Sequence, residues 1–445
     1  MKPITLKEVA CACSGELHGD PNIVITCIVT DSRKAGQGAL FAAIPGARVD
    51  GHDFIPQTVA QGVACVLCER VPSVDVPYIL VDSTLVALKG IAEYYRSLFT
   101  IPFIGVTGSV GKTSTKELIS SVLAQRFNVH KTSGNFNNEL GVPLTLFGLE
   151  ESHEAAVIEM GISGFGEMTR LSKMVRPDIS VITNIGYCHL ENLGDRDGVL
   201  KAKTEMFTYL NENGTIILCH DDDKLRTVTD YNGIRPIFYG TDPADEYYAD
   251  EIEELLLDGV RCTLHHGDSE ITVTIPAMGR HNVLNALCAM AVGKQLGLTD
   301  DEIKRGIESF TNVGSRNHII HTHGMTVIDD CYNANPTSTK AGLNTLSNFT
   351  GRKVAVLGDM KELGREELNL HREVGAYAKE KGIDRLIAVG PLSRATAQGY
   401  GGGAEYFPTV EECIAAIGDL LHAGDAVLVK ASHSMHFEKI VDALQ

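Results

Sequence analysis

The chain has 445 residues, 44% of them apolar and 22% charged, which fits a globular protein, and a prior of ~150 residues per domain gives about three domains. Its formal charge is −18 and no basic run occurs, which argues against a nucleic-acid surface; phosphate binding must then use backbone N–H groups, a few Lys or Arg, and metal ions. No run approaches the ~18 apolar residues of a membrane span, and Lys2, Lys7 and Glu8 interrupt any N-terminal apolar stretch, so a cytoplasmic protein with no membrane partner is expected.

Residues 1–98 alternate short apolar strands with helical stretches. Ile23–Thr30, Ala39–Ile44, Val63–Leu67 and Tyr78–Val81 have strand character, and Thr84–Phe99 has the pattern of a helix leading out of this region. Eleven scattered cysteines include one close pair, Cys65 and Cys68; a structural zinc site needs about four ligands, so buried reduced thiols are the favoured assignment. A second unit covers 99–314. In it Pro102–Val106, Ala155–Ile158, Ile179–Thr183 and Thr215–Leu218 are continuous apolar strands of a covered parallel sheet, and Ile271–Ile275 alternates like an antiparallel edge. Lys112–Gln125 and Asn282–Leu296 have helical patterns, and Lys201-Ala202-Lys203 is expected to open a helix. The third unit, 315–445, sets strands Thr326–Ile328, Val354–Leu357, Leu386–Val389 and Ala426–Val429 between helical stretches 366–381, 410–421 and 434–444. That is a doubly wound, Rossmann-like α/β pattern without a dinucleotide fingerprint, and Gly401-Gly402-Gly403 falls in a loop.

Gly105-Val106-Thr107-Gly108-Ser109-Val110-Gly111-Lys112-Thr113 holds a full phosphate-loop motif between a strand and a helix. Glycines let successive N–H groups face phosphate oxygens, and the helix N-terminus adds its positive end. Lys112 can reach the β- and γ-phosphates of ATP, and the Thr113 hydroxyl can ligate Mg²⁺. The motif leaves open what becomes of the γ-phosphate. Glu159 follows a neighbouring strand at its C-terminal end, where ligands of parallel sheets gather, and can hold the metal opposite Thr113. His189 follows another strand; as a lone histidine it is either a metal ligand or a hydrogen-bonded structural residue. Asn282 and Asn285 share a face at a helix start, where they can bond a base or simply cap the helix.

Taken in order, these pieces resemble the Mur ligase family over essentially the whole length. The resemblance runs through Thr107–Thr113, Ser133–Pro143, Glu159-Met160-Gly161, Thr183–His189, Lys201-Ala202-Lys203, Gly279–Asn285 and Ser315-Arg316. The stretches Asp329–Pro336 and Leu357–Gly364 are similar to the branch that adds D-alanyl-D-alanine. The resemblance implies an N-terminal UDP-substrate domain, a central ATPase domain and a C-terminal ligase domain. It implies a monomer that couples UDP-N-acetylmuramoyl-tripeptide to D-alanyl-D-alanine through an acyl phosphate. It assigns ATP to Gly108, Ser109, Val110, Gly111, Lys112, Thr113 and Thr115, with Asn282 and Asn285 on the adenine side. Arg316 and Asp330 of the third domain would close over the nucleotide. Mg²⁺ would take Thr113, Glu159, His189 and Lys203, the last matching a lysine that the family carbamylates. Lys112, Lys203, His189 and Arg316 would form the catalytic set. Ser32 and Arg33 would bind the UDP part, Asn135, Asn137 and Asn138 the muramoyl-peptide side, and Asn333 and Asn335 the acceptor.

The competing assignments are another ligase of the superfamily, of the tripeptide-forming or folylpolyglutamate type, and a nucleotide-switch protein without ligase activity. The Asp330–Pro336 stretch argues against the first, and the second leaves Glu159, His189 and Lys203 unexplained. One departure is Lys430-Ala431-Ser432-His433, where the family usually has Lys-Gly-Ser-Arg. A histidine lacks the permanent charge and forked donors of an arginine.

Overall fold

The computed structural model describes residues 1–46, 48–311 and 317–445. The described strands form a five-stranded, a nine-stranded and a six-stranded sheet, one for each of three successive α/β domains, plus a two-stranded ribbon. No described helix is long and apolar enough to cross a membrane.

The N-terminal domain begins with a helix, Leu6–Cys13, fixed by a capping box between Thr5 and Glu8. The expected single strand at Ile23–Thr30 is two shorter ones. Val24–Ile25 pairs with Ile4–Thr5, whereas Cys27–Val29 pairs with Ala39–Ala42 in the main sheet. Thr26 marks the break, its N–H donating to the Gly38 carbonyl. Cys65 and Cys68 both lie on the strand Cys65–Cys68, an odd offset that turns their side chains to opposite faces. They pack into different apolar clusters and present no shared sulfur site. Burial pushes their thiols up to about 12 and about 11. The helix Thr84–Ser97 docks on the central domain. There the buried Arg96 donates to the Val175 and Arg176 carbonyls at 2.7 and 3.0 Å.

The central sheet places Phe103–Thr107 between Ala155–Glu159 and Ile179–Ile182, all parallel. Their C-terminal ends therefore share one edge, which is where the phosphate loop emerges. Glu159 is itself the last residue of its strand. The sheet continues through Thr215–Cys219 and Ile237–Gly240 into an antiparallel extension that ends at Ser269–Ile275, the expected edge. Lys201 and Lys203 do not open a helix. Asp195 caps a helix that runs Arg196–Thr204, so both lysines occupy its last turn, where the helix dipole favours cations.

The C-terminal sheet orders Met325–Asp329, Ala426–Lys430, Lys353–Gly358, Arg385–Val389 and Ala404–Phe407 in parallel. Its outer strand, His318–Thr322, is an antiparallel hairpin partner that the sequence pattern did not reveal. Helices at Glu367–Glu380, Val410–Leu420 and Glu438–Leu444 match the expected stretches. Another helix, Pro336–Ser347, begins directly behind the Asn333–Asn335 segment.

Candidate functional site

A cavity of about 580 Å³ opens between the central and C-terminal domains. Its floor is the phosphate loop. Gly111 caps the helix Lys112–Leu123 at φ 80°, a left-handed conformation that suits glycine. At Gly108 the backbone runs so close to the next strand that an added methyl would stand 1.9 Å from the Thr183 hydroxyl. The loop is pinned to the segment after that strand: the Ser109 N–H donates to the Asn184 carbonyl at 3.0 Å and the Val110 N–H to Asn184 Oδ1 at 2.9 Å. The Lys112 ammonium bends back to the Gly108 carbonyl at 2.8 Å.

Beside the loop, the Thr113 hydroxyl donates to Glu159 Oε2 at 2.9 Å, and Asn137 Nδ2 donates to the other oxygen at 2.8 Å. Behind them lies Lys116, fully buried, 3.9 Å from Glu159, 3.0 Å from Glu117 and 2.7 Å from the Thr132 carbonyl. Among the described residues no three His, Cys, Asp or Glu side chains converge on a metal site. Mg²⁺ binds through one or two carboxylates, phosphate oxygens and water. The hard oxygens of Thr113 and Glu159 at the lip of a phosphate loop fit that ion.

Lys203 is 1% exposed, and among the described residues its ammonium has no hydrogen-bond partner. Burial, reinforced by the charge of Lys112, pulls it down to about 8. His189 lines the cavity. Its Nδ1 is shielded from solvent and lies 2.6 Å from Glu362 Oε2 of the C-terminal domain, a close polar contact at an angle poor for a hydrogen bond.

Thr115 and Asn282 do not line the cavity. They form a buried chain under it, Thr115 donating to Asn285 Oδ1 and Asn285 to Asn282, at 2.9 and 3.0 Å; only Asn285 reaches the wall. Asn138 lines the cavity while its Oδ1 accepts from the N–H groups of Leu140 and Gly141. Asn135 is exposed on the same loop and outside the lining. Ser32 and Arg33 also lie outside it, in the N-terminal domain, with Arg33 paired to Asp31 at 2.8 Å.

From the far wall, Lys430 donates to Asp330 Oδ2 at 2.5 Å and to the Asn333 carbonyl at 3.0 Å while only 3% exposed. Asn333 and Asn335 line this wall, and Asn335 Oδ1 accepts from the Ser338 N–H as a helix cap. Arg316 and Ser315 lie outside the described residues. Sequence reasoning singled out neither Lys116, Lys430 nor Glu362. Lys430 carried a usable signal, since it ends a parallel strand as Glu159 does.

Three family profiles match the chain in order. They are described as Mur ligase family, catalytic domain, over residues 24–97; Mur ligase middle domain, over 106–293; and Mur ligase, glutamate ligase domain, over 315–433. The UDP-N-acetylmuramoyl-tripeptide–D-alanyl-D-alanine ligase of Bacillus subtilis is 38% identical, covering 99% of this chain and 98% of that protein. The chain belongs to the Mur ligase family. The crystal structure of MurF from Acinetobacter baumannii superposes on it with a TM-score of 0.95 at 33% identity, over 100% of this chain and 99% of that one. The MurF ligase of Thermotoga maritima, solved in complex with ADP, gives a TM-score of 0.84 at 28% identity over 94% and 96%. Membership in the Mur ligases accounts for a nucleotide loop in one domain facing a polar wall supplied by the next.

Proposed function

We propose that this Mur ligase uses ATP to join D-alanyl-D-alanine to UDP-N-acetylmuramoyl-tripeptide, forming the UDP-linked pentapeptide precursor of peptidoglycan. One observation carries the proposal: the phosphate loop with its Thr113–Glu159 pair shares a cavity with the Lys430–Asp330–Asn333 group of the C-terminal domain. Nucleotide and acceptor can then meet at one carbonyl carbon. The B. subtilis relative, a tripeptide–D-alanyl-D-alanine ligase similar over nearly its full length, supports the choice of substrates. We set the domain limits at 1–98, 99–314 and 315–445; the three family matches fall within them.

The tripeptide carboxylate attacks the γ-phosphorus; a new O–P bond forms, the β,γ-bridging bond breaks, and ADP leaves. The amine of the dipeptide then attacks the acyl carbon, loses a proton, and phosphate departs. Such chemistry rests on positioning and charge neutralisation more than on a protein nucleophile. Lys112 releases the Gly108 carbonyl to follow the γ-phosphate, and the family resemblance assigns Arg316 to the same nucleotide. Lys430 holds the Asp330–Asn333 wall that faces the acceptor. Thr113 and Glu159 would hold one Mg²⁺, and His189 with a carbamylated Lys203 a second; bound there, the ions would supply neutralising charge at the phosphates. The carbamate is supported by the buried, unpartnered amine of Lys203, lowered to about 8: it is more often neutral than an ordinary lysine and so open to CO₂.

The test is phosphate release by the purified chain with ATP and UDP-linked tripeptide, with and without D-alanyl-D-alanine. Release should require the dipeptide, and Lys112→Ala should abolish it. Hydrolysis indifferent to both cosubstrates would exclude the ligase assignment.

A further inference from the structure

We propose that Glu362 is a positioning residue for His189: it reaches from the C-terminal domain to Nδ1 and so turns Nε2 toward the metal side of the ATP cavity. This rests on the assignment of His189 as a metal ligand.

The ring is held from one side only. Nδ1 is sealed from solvent with Glu362 Oε2 2.6 Å away, whereas Nε2 has no hydrogen-bond partner among the described residues. The negative charge 2.6 Å from Nδ1 favours the proton on that nitrogen over Nε2, even without a well-aligned hydrogen bond. It fixes the tautomer with a free lone pair on Nε2 and makes that nitrogen a stronger ligand.

Local backbone geometry favours a fitted contact over a chance surface pair. Glu362 takes φ 65°, a left-handed conformation that a glutamate adopts only where its surroundings impose it. His189 is left-handed too, at φ 51°. Gly364 then passes so close to the central domain that an added methyl would lie 3.3 Å from the Glu191 N–H nitrogen. The two turns are moulded on each other.

The Glu362 turn is also tied to the opposite wall of the cavity. The Lys361 N–H donates to Ser432 Oγ at 2.9 Å, and the Ser432 N–H donates to the Asp359 carbonyl at 3.0 Å. Ser432 stands two residues from Lys430, which holds Asp330 and Asn333. The same C-terminal segment that forms the acceptor wall thus carries the carboxylate that orients His189. Seating that domain completes the metal side, and by linkage a metal bound with nucleotide favours the seated domain.

The experiment titrates Mn²⁺ into the full chain with a non-hydrolysable ATP analogue, following free Mn²⁺ by electron paramagnetic resonance. Glu362→Gln keeps the shape and removes the charge on a half-exposed side chain, so the fold should survive. It should weaken the second Mn²⁺ equivalent about 10–100-fold, the range typical of a lost outer-shell partner, and leave metal-free nucleotide affinity unchanged. Glu362→Asp should restore part of the loss. His189→Ala is the control on the underlying assignment. If His189→Ala loses the second Mn²⁺ and Glu362→Gln does not, the role of Glu362 is wrong. If neither variant changes Mn²⁺ binding, His189 is not a ligand and both assignments fall. An equal loss of metal-free nucleotide affinity in Glu362→Gln would mark a general structural role and also overturn the proposal.

Discussion

Two lysines show how burial separates roles that sequence spacing cannot. Lys116 and Lys203 are both buried, at 0% and 1% exposure. Lys116 is surrounded by Glu117, Glu159 and the Thr132 carbonyl, so its charge is compensated and serves to hold the metal-side carboxylate in place. Lys203 has no such partner, and burial lowers it to about 8. An unpartnered buried cation is costly, whereas a neutral amine that captures CO₂ becomes an anionic oxygen ligand. Lys203→Ala should therefore lose activity, and small carboxylates such as acetate or formate should restore part of it by occupying the vacated ligand position. After CO₂ is stripped from the wild type, re-adding it at a fixed concentration of dissolved CO₂ should restore activity faster as pH rises towards about 8, because only the deprotonated amine reacts. Failure of any carboxylate to rescue, with recovery flat in pH, would remove the carbamate. From the sequence, Glu159 was legible because strand ends in a parallel sheet collect ligands. Lys116 was not, since it sits on the apolar side of its helix where a charge has no periodic signature. Glu362 was not either, since its partner is remote in sequence and in another domain.

At the scale of elements, the long apolar strands were legible because covered parallel strands have continuous apolar runs. Short or edge elements were missed: the hairpin strand His318–Thr322 has no fully buried residue and little pattern to detect. The helix Pro336–Ser347 escaped although it begins with a cap followed by proline, a recognised start signal. That cap gives a sharp prediction about a candidate acceptor residue. Asn335 Oδ1 accepts the Ser338 N–H at 2.8 Å, and the Ser338 hydroxyl accepts the Asn335 N–H at 3.1 Å. Asn335→Ala removes a cap and should cost about 1 kcal/mol in urea unfolding. Asn335→Asp keeps an oxygen acceptor at a helix N-terminus and should match the wild type in stability. If Asp also destabilises by that amount, the side chain is not acting as a cap. If Asp is stable but inactive, the amide itself contacts substrate. The misplacement of Lys201 and Lys203 at a helix start has a similar origin. The true start lies at Asp195, whose side chain accepts the Gly198 N–H as an ordinary cap.

Across the whole molecule, three α/β domains could be inferred from length and the alternation of strands and helices, but not how the second and third face each other. That placement makes the cavity, and it has an electrostatic consequence. The chain carries a formal charge of −18, and the proposed substrates, ATP, a UDP-linked peptide and a dipeptide carboxylate, are anionic. The long-range field therefore repels what the local groups Lys112, Lys430 and the loop N–H groups attract. Salt separates the two contributions: the Debye length falls from ~30 Å at 0.01 M to ~8 Å at 0.15 M, which screens distant charges while leaving buried contacts largely intact. Raising ionic strength over that range with a non-chelating salt should raise kcat/KM for the UDP-linked tripeptide, mainly through a lower KM, with kcat nearly constant. A monotonic fall in kcat/KM would mean instead that the cavity's local cations dominate capture and that the acidic surface is too far from the approach path to matter.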